Sequence, residues 1–517
     1  MAKSKRVPFT PGDLSLRQWG TDDSLVGDLA TPILIGDAGG SMFDFSRGGN
    51  DTFTANEPST YTFYGDAVGG MFNFARGGDD TFTGSSFSTT IAYGDAGDDI
   101  SDHSKGGNDT FTGAAQADNT FFGDAGGNMF GHAQGGDDSF TAFPNSFNTF
   151  YGDAGADMSD HSKGGNDTFE GASVAVNIFF GDAGNNMSGH AQGGDDSFTA
   201  RRDSSNAFYG DASIDMSDYS KGGNDTFNGA SDATTHFDGD AGRNMSGHAQ
   251  GGDDHYTDFG GTVQTKSFSG DAGLHMSDFA KGGNDTFTSA GGFVISFDGD
   301  GSGIMSDHAR GGDDVAVLQG TNNFAYGDAG AMLGNAVGGN DTLTGGNKSS
   351  GPDVQSELYG DTFAMSGSAK GGDDILTGGQ NSETGQVSNL LCGDALQMSD
   401  AATGGNDILY AGNAAPGCTV INDMWGDGQL SDLAEGGQDL FIFEDDGPMT
   451  VGTQNTIHDF SQDQGDSIMF SGVEGVESFN DLTIAQSGTS TIITAGVDQV
   501  TLESFTNVLT ADDFLFA

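Results

Sequence analysis

SDHSKGGNDTFTGAAQADNTFFGDAGGNM (residues 101–129) carries one full period of this 517-residue chain. Its Gly-Asp pair recurs with the aspartate at Asp37, Asp66, Asp95, Asp124, Asp153, Asp182, Asp211 and Asp240, a step of 29 residues each time. The series continues at Asp271, Asp300, Asp328, Asp361, Asp394 and Asp427, with steps of 31, 29, 28, 33, 33 and 33. A second fixed point, Gly-Gly-(Asn/Asp)-Asp, places aspartates at Asp51, Asp80, Asp109, Asp138, Asp167, Asp196, Asp225 and Asp254. It goes on through Asp285, Asp314, Asp341, Asp374, Asp407 and Asp439, where the motif reads GGQD. Fourteen copies of a two-point repeat therefore fill most of the sequence. Fixed-period self-similarity of this kind is the mark of a solenoid.

Apolar residues repeat in the same register. Met42, Met71, Met129, Met158, Met187, Met216, Met245, Met276 and Met305 form one column, with Ile100 in the vacant place. Phe53, Phe82, Phe111, Phe140, Phe169, Phe198, Phe227 and Phe287 form a second, and Phe63, Phe121, Phe150, Phe179, Phe208, Phe237, Phe268 and Phe297 a third. A small residue, Ser46, Ala75, Ser104 or Ala133, forms a fourth. Columns arise when each coil lies on the previous one, because no coil buries its apolar face alone. The segments are too short and glycine-rich for helices, each interior glycine costing about 1 kcal/mol relative to alanine. The expected fold is all-β: a parallel β-helix or β-roll solenoid of about fourteen 29–33-residue coils with a small C-terminal β region. One coil per repeat is favoured, since the two halves of a repeat resemble each other only weakly. Fourteen coils at about 4.8 Å give a rod of roughly 65–70 Å. Glycine is expected at corners that need positive φ.

Charge sets the chemistry. The chain has 76 Asp+Glu against 17 Lys+Arg, a formal charge of −59. Carboxylates at this density oppose compaction unless something neutralises them. Yet 40 Phe and 16 Met are far more apolar anchors than a solvating tail carries. The two facts together predict a folded state that needs cations. Nucleic acid and anionic membranes are excluded as partners by the charge, and no stretch approaches the length of a membrane span. Calcium takes six to eight oxygens from carboxylates, carbonyls and water. Glycine-rich turns expose carbonyls, and stacking brings ligands from adjacent coils onto one ion. All twenty-eight aspartates above are therefore candidate calcium ligands, with several ions expected. The residue before the second aspartate alternates (Asn50, Asp79, Asn108, Asp137, Asn166, Asp195), which separates stacked like charges by two coils. His103, His132, His161, His190, His248 and His308 share a column with Phe45, Phe74, Tyr219 and Phe279. Free exchange of aromatics there reads as a stacked ladder rather than a zinc site. Lys105, Lys163, Lys221 and Lys281 offset nearby aspartates on alternate coils.

GGNDTFTG (106–113) resembles the core of the RTX nonapeptide, whose turns and aspartates bind calcium between coils of a parallel β-roll. The resemblance carries the ligand role onto the Asp51, Asp80, Asp109 series. It does not reach the Asp37, Asp66 series, for which the role rests on the residues alone. The copies here hold one motif per 29 residues and lack the third glycine, so ion count and coil geometry do not transfer. TIHDFSQDQGDSIMF (456–470) and the tail VTLESFTNVLTADDFLFA (500–517) resemble C-terminal regions of RTX proteins exported by type I secretion. The resemblance implies a secreted or cell-surface location and folding on meeting external calcium. The basic start, MAKSKRVPFTPGDLSLRQWG, lacks the apolar core of a secretory signal peptide.

Three regions follow: 1–30, an N-terminal segment read as an assembly arm; 31–445, the calcium-binding solenoid; and 446–517, a C-terminal cap with the secretion signal. No nucleophile elbow, HExxH or phosphate loop is present, and no catalytic residue is expected. The expected function is a secreted, calcium-stabilised structural protein whose rods assemble into a filament, matrix or surface layer. Self-association is expected head to tail, through Lys3, Lys5, Arg6 and Arg17. The alternative is an adhesin or binding module recognising a polysaccharide or ice surface through ladders of Thr and Asn. Cys392 and Cys418 are either two buried thiols or a disulfide.

Overall fold

The structure, a computed structural model, describes residues 5–6, 9–261, 265–444 and 453–517. The chain is almost wholly β, a parallel β-solenoid of about fifteen coils at a spacing of about 29 residues. It divides into two compact units, Met1–Asp258 with Asp271–Gly273, and Phe259–Gly270 with Leu274–Ala517.

In the first unit each repeat is one coil with three walls. The strand after Gly-Gly-x-Asp makes the first wall: Thr81–Thr83 pairs in parallel with Thr110–Thr112, and that with Ser139–Thr141, each 29 residues on. The strand before Gly-Asp makes the second: Thr89–Tyr93, Asp118–Phe122 and Phe147–Tyr151 stack in the same register. Single parallel bridges make the third, through the columns Ala67–Ala96–Ala125, Met71–Ile100–Met129 and Arg76–Lys105–Gln134. Alternation does the sorting. In Thr-Phe-Thr the phenylalanine points inward and both threonines outward. Phe82, Phe111 and Phe140 stack with ring centroids 4.6–5.0 Å apart, near the strand spacing that the backbone imposes. The one-coil-per-repeat reading thus holds.

Two features extend the sequence reading. The bridge columns begin one coil before the first Gly-Asp: Thr10 pairs with Ala38, Leu14 with Met42 and Trp19 with Arg47. Residues 9–30 therefore stack as a coil of their own, and Ser24–Gly27 pairs with Thr52–Ala55. Of the basic residues expected to form an arm, Lys3 lies outside the described residues. Lys5–Arg6 pairs with Gln18–Trp19, and the Arg17 guanidinium lies 5.4 Å from the Phe45 ring centre.

The second unit keeps the walls but changes the filling. Its first wall runs Thr286–Ser289, Val315–Leu318, Thr342–Thr344, Ile375–Thr377, Ile408–Tyr410, Leu440–Glu444 and Ser467–Ser471. Leu343, Leu376 and Leu409 replace the phenylalanines. Extra residues fall in the loop after this strand, where Lys348, Asn381 and Ala414 form a bridge column of their own. The C-terminal residues form an antiparallel meander, Leu482–Ser487, Ser490–Ala495 and Asp498–Leu502. Its last strand joins Thr453–Ile457 in parallel, and Phe514–Phe516 joins Ser467–Ser471. Residues 446–452 of the expected C-terminal region lie outside the described residues. Cys392 and Cys418 are both free, buried thiols. Among the described residues, no helix is long and apolar enough to cross a membrane.

The expectation for glycine needs correction. Positive φ falls at two corners: after the methionine column, at Asn73, Asp102, Asp160 and Asp218 alternating with Gly131, Gly189 and Gly247, and before the second wall, at Phe87, Gln116, Asn145 and Val174, where no glycine stands. Asn and Asp tolerate that conformation because a short polar side chain bonds locally. The motif glycines Gly65, Gly77, Gly94 and Gly106 have no positive φ and serve another purpose.

Candidate cation-binding columns

That purpose is close approach. Within a coil the Gly-Asp turn faces the Gly-Gly-x-Asp segment across an interior seam. A Cβ on Gly65 would fall far inside van der Waals distance of both the Asp80 Oδ2 and the Gly94 carbonyl oxygen. One on Gly77 would collide with the Asp95 Oδ1, with the Asp66 Oδ2 on its other side. The second unit repeats this at Gly360, which faces Asp374 Oδ2 and the Gly393 carbonyl oxygen. Only glycine leaves room for the oxygens.

All twenty-eight predicted aspartates lie in this seam in their respective units, and none is more than 2% exposed. They form two columns with different bonding. In the first, each carboxylate accepts the amide of the second glycine of Gly-Gly: Gly49 N–H to Asp37 at 2.6 Å, Gly78 to Asp66 at 2.7 Å, Gly405 to Asp394 at 2.6 Å. In the second, each aspartate's own amide donates to the carboxylate one coil on. Asp51 N–H reaches Asp80 Oδ1 at 2.6 Å, Asp80 reaches Asp109 at 2.6 Å, and Asp341 reaches Asp374 at 2.7 Å. This arrangement spends Oδ1 and leaves Oδ2 buried with no hydrogen-bond partner at Asp51, Asp80, Asp109, Asp138, Asp167, Asp196, Asp225, Asp341, Asp374 and Asp407.

An ionised carboxylate so placed is costly. Burial, then the neighbouring carboxylates, holds Asp66, Asp80, Asp109, Asp361 and Asp407 well above the usual range. Asp51, at the thinner N-terminal end, is pushed up to about 8 by burial and by Asp37. Burial also raises Asp211 to about 7 and Asp153 to about 6, and there hydrogen bonds from neighbouring carboxyls work against it. The seam thus demands either protons or cations. Its unsatisfied atoms are carboxylate oxygens beside glycine carbonyls, an all-oxygen set that suits a hard ion such as calcium. No three or more His, Cys, Asp or Glu side chains among the described residues cluster as a metal site by themselves. Carboxylates arrive one coil at a time, so carbonyls must complete any coordination shell.

The structure adds members that motif counting passed over. Asp23 N–H donates to Asp51 Oδ1 at 2.6 Å and so starts the second column; its signal is GTDD (20–23), with threonine for the second glycine. Asp466 ends that column, its Oδ1 accepting from Asp439 N–H at 3.2 Å. Asp459 stands one coil on from Gly426, one place short of continuing the first column, and spends both oxygens on the amides of Gly426, Asp427 and Gly428. It is a cap rather than a ligand.

Outside the seam, Asn50, Asn108, Asn340 and Asn406 donate their side-chain amides to Asp79, Asp137, Asp313 and Asp373. The Asn/Asp alternation therefore forms hydrogen bonds as well as spacing charge. Rings at Phe45, Phe74, His103, His132, His161, His190, Tyr219 and His248 form one continuous ladder with centroids 4.7–5.1 Å apart, stacked from His161 to His248 but edge-on where His132 meets His103 and His161. The chain matches no protein-family model, no curated protein and no solved structure.

Proposed function

We propose that this chain is a calcium-stabilised structural protein of the cell exterior, whose copies assemble into a filament, matrix or surface layer. One observation carries the proposal: glycines cleared of side chains bring buried, unpartnered carboxylate oxygens against backbone carbonyls in coil after coil. Packing alone does not call for such an arrangement, and it costs stability unless a cation fills it. An ion that binds only the folded chain stabilises it by RT ln(1 + [L]/Kd) per site. The chain then stays unfolded where calcium is scarce and folds where it is abundant. That coupling suits the type I export suggested by residues 456–470 and 500–517. Assembly is proposed to run head to tail, with the basic first residues docking on the C-terminal end of a second copy. Matrix or cell-surface glycans are further proposed partners.

The test is circular dichroism and bound-calcium analysis at pH 7.5, with and without chelator, beside electron microscopy. Calcium-dependent β-structure with filaments or sheets supports both parts. Calcium-dependent folding into single particles keeps the metal and removes the assembly, whereas normal polymerisation after deletion of residues 1–8 keeps the assembly and removes the docking role of the basic first residues. Equal folding in chelator removes the metal.

A second reading has its own observation. On the first wall of the first unit, Thr52, Thr81, Thr110, Ser139, Thr168, Ser197 and Thr226 follow one another in register, all outward-facing hydroxyls. Such a lattice fits an ordered surface, ice or a crystalline polysaccharide. The bland account is the strand preference of threonine. Replacing Thr81 and Thr110 by Tyr, then assaying ice growth and glycan binding, separates the two.

A further inference from the structure

His458 follows the strand Thr453–Ile457 and sits between two layers of the second unit. Its Nδ1 lies 2.5 Å from the Glu503 Oε2, on the residue just after the meander's last strand. Its Nε2 lies 3.0 Å from the Asp423 Oδ1, on the strand Thr419–Trp425. The imidazole stacks on Trp425 at a centroid distance of 3.9 Å and an interplanar angle of 9°. Backbone bonds fix the order of the layers: His458 N–H donates to Met424 O at 3.0 Å and Glu503 N–H to Ile457 O at 2.8 Å.

A neutral imidazole donates from one nitrogen only, so the other would turn a lone pair on a carboxylate. The imidazolium donates from both, and the ring beneath it favours a cation. We propose that His458 is a proton-dependent clasp, which in its charged form ties the C-terminal meander, through Glu503, to the coil carrying Asp423. Asp423 and Glu503 are the charged groups bonded to the imidazole. The Asp459 carboxylate next to it in sequence is turned away onto the amides of residues 426–428. Partial burial pulls the imidazole down, but the hydrogen bonds and charges of Asp423 and Glu503 outweigh it and the net displacement is upward. For a histidine with a raised folded pKa, the stabilisation is complete below the unfolded value, about 6.5. It is lost as pH rises through the folded value.

The experiment uses the full chain in saturating calcium. His458 is assigned by the imidazole resonance missing from His458→Gln, and hydrogen exchange of residues 482–517 is followed from pH 6 to pH 9 after correction for intrinsic rates. The expected result is an imidazole that titrates above its free value. Opening of the meander should then grow about tenfold for each unit of that displacement. Glu503→Gln should lower the titration, and His458→Gln should remove the pH dependence. Titration at the free value overturns the clasp. So does meander protection that stays independent of pH in the native chain. Because calcium is held saturating, neither result touches the proposal for the aspartate columns.

Discussion

The two units fill their cores differently. The first stacks Phe82, Phe111 and Phe140 at an unvarying 29-residue step, whereas the second uses Leu343, Leu376 and Leu409 at steps of 33. Yet Gly65, Asp66 and Asp80 in one recur as Gly360, Asp361 and Asp374 in the other, with the same carbonyl and the same Oδ2 against the glycine. Core side chains exchange because any apolar group of suitable volume packs there. Within the repeats the seam does not exchange, because a Cβ on its glycines would strike a carbonyl or carboxylate oxygen. Glycine and aspartate are thus set by the oxygen-lined seam, and phenylalanine and leucine by packing.

The largest effect expected from this contrast is at the glycines. Gly65→Ala and Gly360→Ala each drive a methyl into a backbone carbonyl and a carboxylate that cannot step aside. Each should cost about 3 kcal/mol or more in saturating calcium, at the severe end for overpacking. Local hydrogen exchange would show the loss in the mutated unit. A cost below about 1 kcal/mol in either would mean that the seam is looser than its geometry states.

Next comes a change of sign. Asp80→Asn and Asp374→Asn keep a carbonyl oxygen for the amides of Asp51 and Asp341 but remove a buried charge. With calcium, each variant loses a ligand and should fall by about 1–3 kcal/mol. In chelator at pH 8 each should gain stability, since like charges are relieved. The native chain should show the matching pH effect. Its raised carboxyls bind protons more tightly when folded, so their contribution to cation-free stability is complete only below the unfolded carboxyl value, about 3.9. It falls as pH rises through about 6 for Asp153, about 7 for Asp211 and about 8 for Asp51. Circular dichroism in chelator from pH 5 to pH 8, with urea midpoints at each pH where the chain is folded, reads this directly. Equal midpoints would remove the electrostatic basis of the cation requirement.

Much of this was open to inspection in the sequence, for a physical reason. In a solenoid every coil meets the same neighbours, so packing writes itself as columns at one period; Met71, Ile100 and Met129 needed only counting. Both aspartate columns were legible likewise. The inward turn of the carboxylates was not, because Gly-Asp reads equally as a solvent-facing turn. The end coils broke the pattern for the same reason: Phe9 stands where Asp37 stands one coil on, and Asp23 sits behind threonine. An end coil has one neighbour, so half the constraint that enforces the motif is missing. Nor did any repeat announce His458, whose partners lie 35 and 45 residues away: Asp423 stands on a repeated strand where the coil before has Leu390, and Glu503 follows a meander that occurs once.

A smaller effect separates the cores. Phe111→Leu removes one ring from a stack with neighbours on both sides. It should cost about 1–2 kcal/mol through lost contact and a partial cavity. Leu376→Phe, the reverse swap, asks the leucine column to admit a ring and should cost a similar amount by overpacking. Unfolding midpoints at fixed calcium measure both. A neutral Leu376→Phe would show that the two fillings are interchangeable and that the difference between the units carries no packing constraint.

The smallest effect lies on the surface, where Asn and Asp alternate in both units. Asn108 lies between Asp79 and Asp137, its amide 3.4 Å from the Asp137 Oδ2, whereas Asn340 donates to Asp313 Oδ1 at 2.8 Å. Asn108→Asp and Asn340→Asp each set carboxylates one coil apart, about 5 Å, in solvent. The penalty should be about 0.5 kcal/mol, because exposed charges are well screened. It should be greater for Asn340, which also loses the shorter hydrogen bond. In 1 M salt, where screening acts over about 3 Å, the repulsive part should vanish and only the lost hydrogen bond remain. Urea midpoints at low and high salt, with calcium saturating, resolve the two parts. If both variants matched the native chain at low salt, the alternation would have no energetic role and would record only the duplication of a 58-residue pair of coils.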